Sequence, residues 1–112
     1  MAHYLFYAMR GEKMCFQHVL LNALDLSAAG HTVRIVFEGE SVKLPPVLAE
    51  EGNPLYQACL DQGLIAGVCQ ACAHMLGSLE AVKALGLPLL SDMRGHAGIR
   101  PYAEEGYETI VF

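Results

Sequence analysis

Charge is scarce in this chain: Asp, Glu, Lys and Arg make up 17% of its 112 residues, against a hydrophobic share of 54%. Basic residues are the scarcer sign, with 7 Lys and Arg against 12 Asp and Glu and a formal net charge of −5. The few cations are scattered, so no basic face is available to neutralise phosphates, which argues against a nucleic-acid partner. Neither Gly-x-x-x-x-Gly-Lys nor Gly-x-Gly-x-x-Gly occurs, which argues against the usual forms of nucleotide binding. Long apolar runs are missing too. The longest stretch free of formal charge, Gln62 to Leu79, is interrupted by Gln70, His74, Gly63, Gly67, Gly77 and Ser78. A membrane-spanning helix wants about 20 mostly apolar residues, so no membrane association is expected. The start, Met1–Ala2–His3–Tyr4, has no basic segment and no cleavage site, and no signal peptide is read there. With no repeat, low-complexity tract or linker, the expectation is one soluble, cytoplasmic domain over residues 1–112.

What is present is an excess of apolar residues for so short a chain. Two arrangements absorb it: a sheet covered on both faces, and a surface buried in an oligomer. The apolar runs Tyr4–Met9, Thr32–Phe37, Leu64–Val68, Leu87–Leu90 and Tyr107–Phe112 read as strands. Between the first two, Phe16, Val19, Leu20, Ala23 and Leu24 recur at helical spacing within Met14–Ala29, and Gly30 supplies a stop. Ser41 to Gly52, with Pro45–Pro46, is the least regular part, with at most a short helical turn near Val47–Glu51. Asn53–Pro54 is a good cap and first residue for a helix to about Gln62. A further helix is predicted from about Ala71 to Leu85, and a short one near Pro101–Glu105. This alternation calls for right-handed crossovers and a parallel sheet between two helical layers.

In such sheets ligands bind outside the carboxyl ends of the strands. Arg10–Glu12, Glu38–Ser41, Cys69–Cys72 and Ser91–Gly98 gather there. The focal stretch is the third strand running into a helix with Cys69 and Cys72 on the turn. A thiol at a helix start faces unpaired N–H groups and the positive end of the dipole, which favour its anionic form. The four cysteines, Cys15, Cys59, Cys69 and Cys72, lack an export signal and are expected free, catalytic or metal-bound rather than disulfide-paired.

The chain resembles the small DsrE/DsrF-like proteins, the sulfur-relay family that includes the Tus proteins of tRNA thiolation. Three features carry the likeness. The first strand opens into a Gly-containing turn and a long helix over Tyr4–Ala29. A cysteine lies at the strand-to-helix junction in Gly67–Val68–Cys69–Gln70–Ala71–Cys72. The chain closes with Tyr102–Phe112, a short helix running into a terminal strand. The resemblance implies a three-layer α/β/α sandwich on a five-stranded parallel sheet, the DsrEFH-like fold, and a homo-oligomer, trimer or hexamer. It also implies a sulfur-carrier or sulfurtransferase-like role in which a junction cysteine, by position Cys72 ahead of Cys69, passes a persulfide from a donor protein to an acceptor. The chain departs from the relay pattern in carrying two cysteines at the junction.

Three readings of Cys69 and Cys72 stay open: thiol chemistry, a pair of small buried hydrophobes, and metal ligation. For the last, Cys15-x-x-His18 and Cys69-x-x-Cys72 have spacings that suit four zinc ligands; a persulfide relay needs no resident cofactor. In the first reading, Arg10, Arg94 and His96 are candidate substrate-binding residues able to hold an anion or lower a thiol pKa. The second function class is a non-catalytic oligomeric binding protein with a small-ligand or zinc site at the same pocket. Glu38–Gly39–Glu40–Ser41 has two readings, a segment closing the pocket and, ahead of it, a solvated turn, and a catalytic pairing of Glu12 with Asp92 has no further support in the sequence.

Overall fold

The computed structural model describes residues 1–112. In chain order it runs β1 (His3–Ala8), α1 (Lys13–Ala28), β2 (Thr32–Phe37), a 3₁₀ segment (Gly39–Lys43), α2 (Leu44–Glu50) and α3 (Pro54–Asp61). Then follow β3 (Ile65–Cys69), α4 (Gln70–Met75), α5 (Leu79–Ala84), β4 (Leu89–Leu90), α6 (Arg100–Glu104) and β5 (Glu108–Val111). The five strands form one sheet in the order β4-β3-β2-β1-β5, and every pairing is parallel. No helix is long and apolar enough to cross a membrane.

Strand order decides which helices share a face. The links β1 to β2, β2 to β3 and β3 to β4 all step the same way across the sheet, so right-handed crossovers set α1 to α5 over one face. The link from β4 to β5 runs back to the opposite edge and sets α6 over the other, giving three layers of unequal weight. Phe16 of α1 stacks on Phe37 of β2 with ring centroids 4.9 Å apart. Phe37 and its register partners Ala8 and Val68 therefore face the heavy layer. Side chains alternate along a strand, so Tyr7, Glu38 and Cys69 emerge together on the α6 side.

Three elements differ from the pattern read in the sequence. The helix expected over Ala71–Leu85 is two helices, because α4 ends in a Schellman turn. Ser78 N–H donates to Ala73 O at 2.9 Å and Gly77 N–H to His74 O at 3.3 Å, with Gly77 at a φ of 78°. The irregular stretch after Ser41 is instead a 3₁₀ turn followed by α2. Pro45 and Pro46 lie in the first turn of α2, where their missing N–H groups have no intrahelical partner to lose. The fourth strand is only Leu89–Leu90. At α3 the Asn53 side chain caps as expected, accepting from Leu55 N–H at 3.0 Å and Tyr56 N–H at 3.1 Å.

Candidate metal centre

Four side chains meet at the carboxyl ends of β2 and β3. The Glu38 carboxylate, the Cys69 and Cys72 sulfurs and the His96 imidazole each offer one ligand atom, and these atoms all lie within 4.8 Å of one another. Each arrives by a different local device.

Glu38 follows β2 and turns inward, only 4% exposed. Its backbone is pinned by Ser41, whose hydroxyl accepts from Glu38 N–H at 3.1 Å and donates to Ala8 O at 2.7 Å. Its carboxylate is oriented from behind: Oε2 is 3.2 Å from both the Ala97 N–H and the Tyr7 hydroxyl. The Tyr7 proton is shared with Ala97 O at 2.7 Å. Oε1 is left facing the sulfurs. The solvated turn expected at Glu38 is therefore not formed. The carboxylate is buried because β2 delivers it to the α6 face, beneath the loop that follows β4.

Cys69 ends β3 and is fully buried; its Sγ accepts from Cys72 N–H at 3.4 Å. Cys72, in the first turn of α4, is half-buried and donates to Glu38 Oε1 at 2.8 Å. Three residues of helix bring the second sulfur back over the first, which is what the Cys-x-x-Cys spacing provides. The ionised sulfur expected at this junction is not what the surroundings favour. Burial, then the hydrogen bonds with Glu38 and Cys69, push the Cys72 thiol up to about 12. With only six residues in α4, little helix dipole opposes them.

His96 comes from a tight hairpin. Met93 and His96 exchange two backbone hydrogen bonds of 2.8 and 2.9 Å. Between them Arg94 and Gly95 both have positive φ, 52° and 90°, as a type I′ turn requires. Gly95 O accepts from Ala71 N–H at 2.9 Å, locking the hairpin onto the start of α4. His96 Nδ1 then lies 3.3 Å from Cys69 Sγ, 3.5 Å from Cys72 Sγ and 3.4 Å from Glu38 Oε1.

The electrostatics are those of a site short of positive charge. Burial alone would raise the Glu38 carboxyl; hydrogen bonds from Cys72, Cys69, Tyr7 and Gly39 outweigh it and hold the group below the usual carboxylate range. Burial, reinforced by the Glu38 charge, drives the Tyr7 hydroxyl well above its ordinary value. A buried carboxylate beside two sulfurs is costly unless a cation compensates it. This group could hold a metal ion. A zinc ion about 2.3 Å from sulfur and about 2.0–2.2 Å from nitrogen and oxygen would space tetrahedral donors about 3.3–3.8 Å apart. The three contacts to His96 Nδ1, at 3.3, 3.5 and 3.4 Å, already have that spacing.

The remaining residues singled out in the sequence lie elsewhere. Cys15 and His18 line a separate cavity of about 580 Å³ with Met9, Arg10, Val111 and Phe112. The four-ligand set of Cys15, His18, Cys69 and Cys72 is thus not assembled. The start of α1 lies by the ends of β1 and β5, two strands away from the sulfurs on β3, and Glu38 and His96 stand in the two places. Arg10 is exposed and faces Glu12 at 3.7 Å. Arg94 lines a third region, a cavity of about 360 Å³ shared with Asp92, Met93, Gly98, Ile99 and Arg100. Neither arginine is bonded to a cysteine; of the candidate substrate-binding residues only His96 reaches the sulfurs. Cys59 is buried alone under α1, its Sγ 3.9 Å from Leu20 O, and burial raises its thiol to about 11.

Over 96 residues the chain is 35% identical to the uncharacterized protein MJ0733 of Methanocaldococcus jannaschii, which covers 83% of this chain and 76% of that protein. An uncharacterized protein of Archaeoglobus fulgidus is 43% identical over 37 residues, 33% of this chain and the whole of that one. No family model matches the chain, and no solved structure does.

Proposed function

The chain belongs to the family of the Methanocaldococcus jannaschii protein MJ0733, and we propose that it is a metal-binding protein whose cluster of Glu38, Cys69, Cys72 and His96 holds one zinc ion. The observation that carries this reading is the convergence of four donors of three kinds within 4.8 Å, two of them on residues that are almost wholly buried. Two sulfurs, one imidazole nitrogen and one carboxylate oxygen form a donor set that suits zinc. A divalent cation also turns the antagonism between carboxylate and thiol into shared ligation, since both bind as anions. Glu38, oriented by Tyr7 and Ala97, has the outer-shell support that ligating carboxylates require. His96 binds through Nδ1, the ring nitrogen 3.3–3.5 Å from the other three donors.

Elemental analysis of protein purified without chelator or added metal tests this. The expected result is one zinc per chain, reduced by Cys72→Ser and Glu38→Gln and unaffected by Cys15→Ser. Zinc content no higher in the native chain than in Cys72→Ser overturns it.

A second reading uses the same sulfurs as a persulfide relay of the DsrE/DsrF-like kind. It is supported by the partial exposure of Cys72 and by the neighbouring Cys69 sulfur, able to resolve a mixed disulfide or persulfide. In that reading Cys72 attacks a donor persulfide and hands one sulfur to an acceptor thiol. A homo-oligomer, trimer or hexamer, goes with it. The exposed side chains of Met14, Met75 and Val111 are apolar surface for such an assembly to cover. Incubation with a persulfide donor should then add one sulfur atom to the peptide carrying Cys72, and a chain left unmodified rules the relay out.

A further inference from the structure

Cys69 and Cys72 do more than share a ligand group: their sulfurs lie next to each other with no other thiol near. Cys59 is sealed in the core and Cys15 lies in a different cavity. Resting on the metal reading of this site, we propose that the pair is an oxidative modification site, and that its conversion to a disulfide by hydrogen peroxide releases the metal. The metal-bound dithiol and the disulfide are then two exclusive states of one cluster.

The geometry assigns the order of events. Cys72 is half-exposed while Cys69 is fully buried behind it, so peroxide meets Cys72 first. The Cys72 sulfur attacks one peroxide oxygen; the O–O bond breaks, hydroxide leaves and takes up a proton as water, and Cys72 becomes a sulfenic acid. As a metal ligand Cys72 already lacks its proton, so the sulfur attacks as a thiolate. The Cys69 sulfur then attacks Cys72 Sγ, an S–S bond forms, the S–O bond breaks and a second water leaves. Two thiolates, one peroxide and two protons from solvent give one disulfide and two waters, and the two electrons come from the sulfurs. The sulfurs lie within 4.8 Å of each other and are three residues apart at a helix start, so side-chain rotation closes the gap to the bonding distance of about 2.05 Å. Glu38 and His96 are left as two ligands of four, too few to retain zinc.

The full chain, loaded with one equivalent of zinc, is treated with hydrogen peroxide and followed by a chromogenic zinc indicator and by intact-mass and peptide analysis. The expected result is a product lighter by two hydrogen atoms, with the bond mapped to Cys69–Cys72. Zinc should appear in proportion to that product, and reduction with dithiothreitol should restore binding. Cys15→Ser should behave as the native chain, and Cys72→Ser should form no disulfide. If zinc stays bound while the thiols survive peroxide, or Cys72 proceeds to sulfinic acid without a disulfide, the proposal is overturned and the metal reading stands. If the disulfide forms in a chain that never retained zinc, the release proposal and the metal reading fall together.

Discussion

The Cys72 sulfur sits 2.8 Å from Glu38 Oε1, so a thiolate at Cys72 and a carboxylate at Glu38 oppose each other whenever no cation lies between them. Burial, then this carboxylate, raise the Cys72 thiol to about 12. A lone nucleophilic sulfur wants the reverse arrangement, with positive charge beside it. The contact makes chemical sense when both groups turn toward a shared cation.

Replacing Glu38 by Gln should therefore make metal-free Cys72 more reactive while weakening metal binding. Each unit by which the thiol pKa falls multiplies its thiolate fraction near neutral pH about tenfold. Iodoacetamide labelling at pH 7.5, followed by peptide mass analysis, should show Cys72 modified about tenfold faster in the variant. An unchanged rate would mean that burial alone sets the thiol.

Gly95→Ala should weaken zinc binding without touching a ligand. The turn holds residue 95 at a φ of 90°, where an L side chain costs about 1–2 kcal/mol. That strain falls on the hairpin presenting His96, and the dissociation constant should rise about five- to thirtyfold. Competition against a zinc chelator of known affinity measures it. Arg94→Asn, which suits a positive φ, should leave affinity equal or improved.

Alkaline pH should destabilise the fold through Cys59, which lies away from the cluster. Its folded thiol is raised to about 11 by burial, above the unfolded value of about 8.5. A raised pKa means that the native state keeps the proton more tightly, so the full contribution is present below about 8.5 and is lost as pH climbs through about 11. Urea midpoints between pH 8 and 11 should fall more steeply for the native chain than for Cys59→Ala, although the variant starts lower because it leaves a small cavity.

Tyr56→Phe should raise stability. Tyr56 is 2% exposed, and its hydroxyl is the one buried side-chain polar atom without a hydrogen-bond partner. An unsatisfied buried group costs about 1–3 kcal/mol. Removing it should increase the unfolding free energy by about 1 kcal/mol, and a lower urea midpoint in the variant would contradict this.

Much of the architecture was legible because it is written in local patterns. The apolar runs at Tyr4–Met9 and Thr32–Phe37 marked the central strands to within a residue, and Asn53–Pro54 marked the start of α3. Cys69 was legible at the end of β3 for the same reason. The break between α4 and α5 was not, because Gly77 and Ser78 also fit inside a helix until the Schellman bonds form. Glu38 was misread because Glu-Gly-Glu-Ser has the composition of a solvated turn. Its burial depends on Tyr7 and Ala97, far away in sequence. His96 was singled out as a substrate-binding candidate but not as a partner of Glu38, since an Arg-Gly pair is a weak signal for the type I′ turn that delivers it. A buried acid at the end of one parallel strand and a cysteine at the end of its neighbour is the signal that would have joined them.

β1 lies between β2, the strand that follows it in the chain, and β5, with Tyr4 paired to Thr32's neighbour Val33 on one side and to Glu108 on the other. β1 therefore waits for β5, roughly a hundred residues later in the chain, before its second edge is satisfied. Glu38 and the two sulfurs leave the ribosome well ahead of His96, so a nascent chain holds three of the four donors without the loop that completes the ring. On the metal reading, uptake of an ion is then a late event in biogenesis, and a copy cut short before His96 has an open, incomplete cradle rather than a weaker version of the finished one.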